Sequence, residues 1–203
     1  GEQIPYDSFA HLALETQAKV KLFKKHLYRL AKDKGPLFKT QKAIAHPEDR
    51  ILLKKAVEAC PLLGETSDGK QIYLYQYQQS SPVLREIGRL REIAFRAVGE
   101  GSGQRRDIDQ YDSYYEQLIL WDQDDLEIVG AYRFANTAKV MAEKGLAGLY
   151  TASLFQFNPQ MTPYLDQGLE LGRSFVQPRY WGKRSLDYLW YGIGAYLKQN
   201  PEI

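Results

Sequence analysis

Cysteine is almost absent from this chain. Cys60 stands alone among 203 residues, which excludes an intrachain disulfide and a cysteine metal cluster and fits a reducing, cytoplasmic setting. No apolar run reaches membrane-spanning length, and no signal-peptide pattern opens the chain. An excess of either charge is lacking: the net charge is +2, too small by itself to imply a nucleic-acid partner. A Ser/His/Asp or Cys/His arrangement is missing, and so is Gly-x-x-x-x-Gly-Lys-Ser/Thr. Nothing repeats internally, and no segment is of low complexity. What is there is a hydrophobic fraction of 44%, enough for a packed core and against disorder. The length allows one substantial domain, or one domain with an appendage. Fifteen tyrosines suit amphipathic packing and strand pairing.

The chain reads as a helical appendage or linker over 1–65 and an α/β domain over 66–203. From about Phe9 to Lys34 the spacing predicts a helix, with Val20, Phe23, Leu27 and Leu30 as its stripe and Gly35-Pro36 as its end. Lys19, Lys21, Lys24, Lys25, Arg29, Lys32 and Lys34 occupy its other faces. Such a helix can make a peripheral contact with an anionic membrane, or be a solvated helix packed on the domain. Pro47 to Cys60 is expected as a second helix with Pro47 at N1. Thr66 to Gly69 is a turn, and Gln71–Tyr77 a strand. Ser81-Pro82 opens a helix to about Val98, buried through Leu84, Ile87, Leu90, Ala94, Phe95 and Val98. Arg91 borders that face, while Arg85, Arg89 and Arg96 have Glu86 and Glu92 as neighbours in a solvated setting. Gly99-Glu-Gly-Ser-Gly103 is a flexible loop suited to closing over an acceptor.

Asp107, Asp109 and Asp112 follow. Their spacing lacks the EF-hand's late glutamate, so no metal is expected, and an amine is the better partner; turn chemistry is the competing explanation, above all for Asp107. Tyr114–Trp121 and Leu126–Phe134 form a hairpin, with Val129, Ala131 and Arg133 on one face. Leu169–Gln177 is a strand stopped by Pro178. A basic loop from Arg179 to Arg184 with Gly182 then leads into a helix capped by Ser185, a ready anion site or an ordinary strand–helix connection.

This last stretch resembles the central motif of the GNAT N-acetyltransferase superfamily, in which a strand ends in Arg/Gln-x-x-Gly-x-Gly/Ala. Arg179 and Gly182 match; Arg184 stands where that family prefers a small residue. The chain is more similar to the branch of ornithine-lipid N-acyltransferases, hemolysin-like proteins and acyl-homoserine-lactone synthases. That branch carries Arg-x-x-x-Phe, a spaced aspartate pair, an arginine after a strand, and Glu-x-x-Arg. Here these are Arg91 and Phe95, Asp109 and Asp112, Arg133, then Glu170 and Arg173, in the same order from about Ser80 onward. The resemblance implies a mainly antiparallel mixed sheet flanked by helices, and an acyltransferase that binds no cofactor. Its co-substrate would be a fatty acyl group, in the branch a 3-hydroxyacyl group, on acyl carrier protein or coenzyme A. Its acceptor would be a small amine such as ornithine or another amino acid, in amino-acid-containing lipid synthesis. Lactone-type signal synthesis and a non-catalytic interaction module are the alternatives. Some hemolysin-like proteins carry a lysophospholipid-acyltransferase module, but its His-x-x-x-x-Asp motif follows none of His11, His26 and His46.

In this reading Glu170 is the base, Arg173 and Arg133 complete the catalytic set, and Arg91, Phe95, Asp109 and Asp112 hold the acceptor. Arg179, Gly182, Lys183 and Arg184 take the donor, their cations facing an acidic carrier. Phe155, Phe157, Phe175 and Trp190 are candidates for an acyl channel or for core. Positions 170 and 173 fall on opposite faces of a straight strand; a bulge seated by Gly172, as the resemblance implies, would bring them together. The superfamily continues with a further strand after its central helix, whereas this sequence ends at Asn200-Pro-Glu-Ile203. A fragment with missing C-terminal strands is therefore expected, with a free sheet edge open to the N-terminal segment or to a second copy in a homo-oligomer.

Overall fold

The computed structural model describes residues 2–203. A short helix α1 (Asp7–Ala10) precedes α2 (Thr16–Leu30) and α3 (Arg50–Glu58). Then come β1 (Leu62–Glu65), β2 (Gln71–Tyr75), α4 (Pro82–Ala97), β3 (Glu116–Asp122) and β4 (Glu127–Asn136). The chain finishes with α5 (Thr137–Lys144), α6 (Thr162–Leu165), β5 (Leu169–Val176) and α7 (Ser185–Gln199). The strands make one sheet in the order β1-β2-β3-β4-β5, with all four pairings antiparallel.

Helices cover both faces. Leu53 and Val57 of α3 and Ile87 and Leu90 of α4 pack on Tyr73, Ile119 and Trp121. On the other face Leu189 and Ile193 of α7 meet Ile72, Leu118 and Leu120. A Cβ at Gly192 would lie 2.9 Å from Ile72 Cγ2 and closer still to Leu118, so glycine lets α7 sit tight on the sheet.

Several expectations shift. The N-terminal helix is broken after α1, and Phe23 turns inward against Phe9 and Phe38, with ring centroids 5.0 Å apart in each case. Val20 and Leu27 of the expected stripe are exposed instead. The second helix starts at Arg50 rather than at Pro47, because the Asp49 side chain caps it by accepting from the Ile51 and Leu52 amides at 2.9 Å. Strand β1 was hidden beside a turn signal. Arg184, not Ser185, is the N-cap of α7. The hairpin carries a bulge: Leu120 faces Gly130 and Trp121 faces Ile128, leaving Val129 as the extra residue. That slip moves Val129 to the α7 side and Ile128 to the side of Ala131.

Strand β5 is an edge strand. Among the described residues no strand pairs with its free edge, and near the N-terminus Gln3 bridges Gln41.

Candidate active site

The site grows from the inner face of α4, β4 and β5. Arg91 is fully buried and reaches Asp112 at 3.2 Å, with its second terminal nitrogen 3.3 Å from Gln117 Oε1. Arg133, 1% exposed, bonds Asp109 at 2.6 Å and lies 3.3 Å from Asp112. Arg173 donates to Asp107 at 2.9 Å and lies 3.8 Å from Asp109. Three guanidinium groups and three carboxylates thus form one chain of ion pairs, buried at Arg91, Asp112, Arg133 and Asp107 and half-buried at Arg173 and Asp109; leaving a charge unpaired at the buried end is costly.

The aspartate spacing has a local cause. Residues Gln110–Ser113 form a 3-10 turn in which Asp109 caps Tyr111, and Asp112 Oδ2 accepts the Asp109 amide at 2.9 Å. The capping box presents both remaining carboxylate edges to the arginines. Burial pulls Arg91 below its ordinary value while Asp112 opposes it. At Arg133 burial acts in the same sense, but Asp112 and Asp109 together raise it. Arginine stays charged throughout. Burial pushes the Asp107 carboxyl up, against the pull of Arg91 and Arg173.

Strand β5 bends at the site. Arg133 faces Gly172 and Ala131 faces Phe175, so Arg173 and Ser174 together oppose the single residue Tyr132. The bulge is carried by Arg173 itself, at φ +50°, a left-handed conformation that a non-glycine residue rarely takes, rather than by Gly172. It places Arg173 on the same face as Glu170, Arg133 and Arg91.

Glu170 has a different neighbourhood. It takes the Tyr115 hydroxyl, the Tyr150 amide at 3.1 Å and the Thr151 amide at 2.7 Å. The Tyr115 hydroxyl in turn accepts the Tyr150 amide at 2.8 Å, and burial with the Glu170 bond pushes its ionisation well above the ordinary tyrosine value. This arrangement fixes Tyr150, whose ring lies 5.4 Å from the Arg133 guanidinium and 5.9 Å from that of Arg173. Phe95 flanks Arg173 at 5.8 Å.

Phe95, Glu100, Tyr150, Arg173 and Ser174 line an open cavity of about 350 Å³. The buried Nε atoms of Arg91, Arg133 and Arg173 have no partner among the described residues. A second cavity of about 400 Å³ runs past Ser174, Phe175, Tyr180, Trp181, Gly182 and Leu186. Ser174 of the bulge borders both.

Structure and expectation meet unevenly. Arg91, Phe95, Asp109, Asp112, Arg133, Glu170 and Arg173 are brought together. Of the donor set, Gly182 at φ +75° and Lys183 line the second cavity. Arg179 does not; it pairs with Asp125 at 2.5 Å and Glu127 at 2.6 Å. Arg184 lies 3.7 Å from Asp187. Three carboxylates therefore match the expected cationic rim. Phe175 and Trp190 lie on opposite faces of the sheet, Phe175 in the α4 core and Trp190 against Tyr132, so they do not line one channel; Phe155 is exposed. Arg85, Arg89 and Arg96 are half-buried rather than solvated, bonded to Glu48, Glu86 and Glu92, and the last two of these carboxylates are buried. Glu92 pins the glycine-rich loop by accepting from Ser102 and Gly103, so its Ser102–Gly103 end is anchored, not free to close.

Tyr115, Gln117 and Tyr150 join the site without a mark in the sequence, and Asp107 joins it despite its turn-like setting. Asp107 looked like turn chemistry, and the tyrosines were lost among their many companions. Only the run of Tyr111, Tyr114 and Tyr115 beside the aspartates hinted at them.

Comparison with known proteins gives the family. The acetyltransferase (GNAT) domain profile matches residues 90–191. The chain is 40% identical over 173 residues to a glycine N(alpha)-acyltransferase of Bacteroides thetaiotaomicron, covering 79% of this chain and 51% of that protein. The corresponding protein of Phocaeicola vulgatus is 39% identical over 175 residues, 80% of this chain and 54% of that one. An L-ornithine N(alpha)-acyltransferase of Brucella abortus is 33% identical over 126 residues, 54% of this chain and 43% of that one. The chain spans about half the length of these curated relatives. No solved structure matches it.

Proposed function

Since the chain belongs to the acetyltransferase (GNAT) domain family, we propose that it transfers a fatty acyl group from a thioester to the α-amine of an amino acid, with glycine as the favoured acceptor. The observation that carries this is the junction of two cavities at Ser174, one beside Arg173 and one beside Gly182. An acceptor carboxylate held by the Arg173 fork would set its amine at the bulge. A thioester laid along the second cavity would present its carbonyl at the same place. Backbone freed from the ladder by the bulge is suited to polarising that carbonyl.

The chemistry is balanced simply. The ammonium gives one proton to a base, the amine nitrogen bonds to the carbonyl carbon, the carbon–sulfur bond breaks, and the nitrogen's second proton goes to the leaving thiolate, so the products are an amide, a thiol and the proton held by the base. Thioesters are already activated, so alignment and proton removal are the main demands. Both Glu170 oxygens are occupied by Tyr115 and the loop amides, which suits a positioning role for this residue more than the base role. Asp107 is better placed as base, directly or through a water. It sits against Arg173, its Oδ1 has no protein donor among the described residues, and burial raises its affinity for a proton.

Glycine is favoured because the glycine-named relatives match more of the chain at higher identity. Ornithine is the second reading, because Glu100 on the cavity wall would suit a second ammonium. Acyl carrier protein as the donor's carrier, and lipid synthesis as the product's fate, rest on the resemblance alone, since the rim beside Gly182 carries matched charge. The test offers equal glycine and ornithine with long-chain acyl carrier protein or acyl-coenzyme A and identifies products by mass spectrometry. N-acylglycine in excess is expected, and Glu100→Gln should leave it unchanged. A product acylated on a hydroxyl, or none from either amine, would contradict the proposal.

A further inference from the structure

Helix α2 carries two apolar stripes, and only one is used inside the molecule. The inner stripe holds Phe23 and His26. His26 is 1% exposed, and its Nδ1 accepts the Leu37 and Phe38 amides at 3.0 and 3.2 Å, folding the following loop back over the helix. With Phe9 and Phe38 these residues complete the small core of the N-terminal unit. The outer stripe is Val20, Leu27, Tyr28 and Ala31, recurring at helical spacing. Its large members are exposed at 60%, 64% and 58%. Leu27, Tyr28 and Ala31 border a shallow concavity beside Lys24.

The charge around that stripe is of one sign. Lys19, Lys21, Lys24, Lys25, Lys32 and Lys34 stand against Asp33 alone between residues 16 and 34. Arg29 is turned inward to the Lys34 and Gly35 carbonyls at 2.7 and 3.2 Å. Among the described residues no ion pair involves a position before Glu48. The lysines are therefore unneutralised by the protein. Lys24 leans over the Tyr28 ring at 5.8 Å, its stem along the apolar stripe and its charge outward.

We infer that the outer face of α2 is a docking surface for an anionic lipid bilayer, with Leu27 and Tyr28 entering the headgroup–acyl boundary and the flanking lysines meeting the lipid phosphates. A bilayer offers both things this face lacks, an apolar layer and negative charge directly above it. A second copy of the chain fits poorly, since it would bring the same lysines against these. The inference does not depend on the acyl-transfer reading, because α2 lies outside the matched domain.

Co-sedimentation with phosphatidylglycerol-containing and pure phosphatidylcholine vesicles tests it. At low salt the bound fraction on the anionic vesicles should exceed that on phosphatidylcholine by more than tenfold and fall as salt rises. The triple change Lys21→Glu, Lys24→Glu, Lys25→Glu should abolish it. Leu27→Ser with Tyr28→Ser should lower it at least fivefold, with the circular dichroism unchanged because both residues are on the outer face. A Leu27→Trp variant should show a blue-shifted emission that brominated acyl chains quench. Equal binding to both vesicles, or wild-type binding by the serine variant, would overturn the inference. So would binding to soluble acyl carrier protein without binding to vesicles, or a dimer that buries Leu27.

Discussion

Glu92 is fully buried and accepts from Arg96 at 2.6 Å, the Ser102 amide at 3.0 Å and hydroxyl at 2.6 Å, and the Gly103 amide at 2.8 Å. Burial opposes its charge, but the Ser102 and Arg96 bonds outweigh that and hold its carboxyl below the ordinary value. Its folded affinity for a proton is thus lower than its unfolded one. The stability it contributes is present above about pH 4.3, the unfolded value, and is lost as pH falls through the folded value. Glu92→Gln is expected to cost about 2 kcal/mol at neutral pH and to flatten the acid limb of a urea-unfolding series; an unchanged acid limb would rule this out. Glu170 offers a second case. Glu170→Gln and Tyr115→Phe should each destabilise by about 1–2 kcal/mol, with the double change costing less than their sum because they share one bond. Full additivity would show that the bond seen here is not energetically coupled. Much of this residue-level detail was legible only in part. The order of Arg91, Asp112, Arg133 and Arg173 marked the cluster. Glu92 did not announce itself, because a glutamate four residues from an arginine reads as a solvated pair until the loop that wraps it is known.

At the scale of elements, the hairpin could be read from its alternation and turn, α4 from period and cap together, and α7 from its period alone, since Ser185 does not cap it. The Ser81 hydroxyl accepts the Val83 amide at 3.2 Å with Pro82 behind it, as the sequence implies. The bulges could not be placed so well. A bulge is a property of two strands in register, and a single strand's alternation shows neither the extra Val129 nor the left-handed Arg173. Parity arguments along β4 therefore failed beyond the slip. In α2 only Phe23 of the expected stripe turns inward, drawn by Phe9 and Phe38, which are distant in sequence, while Val20, Leu27 and Leu30 stay exposed. The approach of α7 to the sheet is testable through Gly192. Gly192→Ala places a methyl against Leu118 and Ile72, an overpacking that should cost about 1–3 kcal/mol. A lowered midpoint with an unchanged denaturant slope is the expected result. A neutral or stabilising effect would mean that α7 sits farther out than described.

For the molecule as a whole, the sheet acts as a frame that brings two cavities to one bulged strand, while α2 stands apart with its own small core. Sequence order alone pointed to the family and to an acyl-transfer chemistry. It did not show that the two cavities share Ser174, because that junction is made by folding β5 against β4. Arg173 is where strand geometry, charge and the cavity beside Phe95 converge. Its two terminal nitrogens reach toward Asp107 and Asp109, a span that a lysine's single ammonium cannot reproduce. The most direct measurement is steady-state thiol release from a long-chain acyl thioester as a function of glycine concentration, for the protein and its Arg173→Lys variant. The account predicts glycine-dependent release and a loss of about 100-fold in kcat/KM for glycine in the variant, near 2.7 kcal/mol of transition-state stabilisation, with the fold retained. Release that ignores glycine, or a variant as active as the parent, would contradict it.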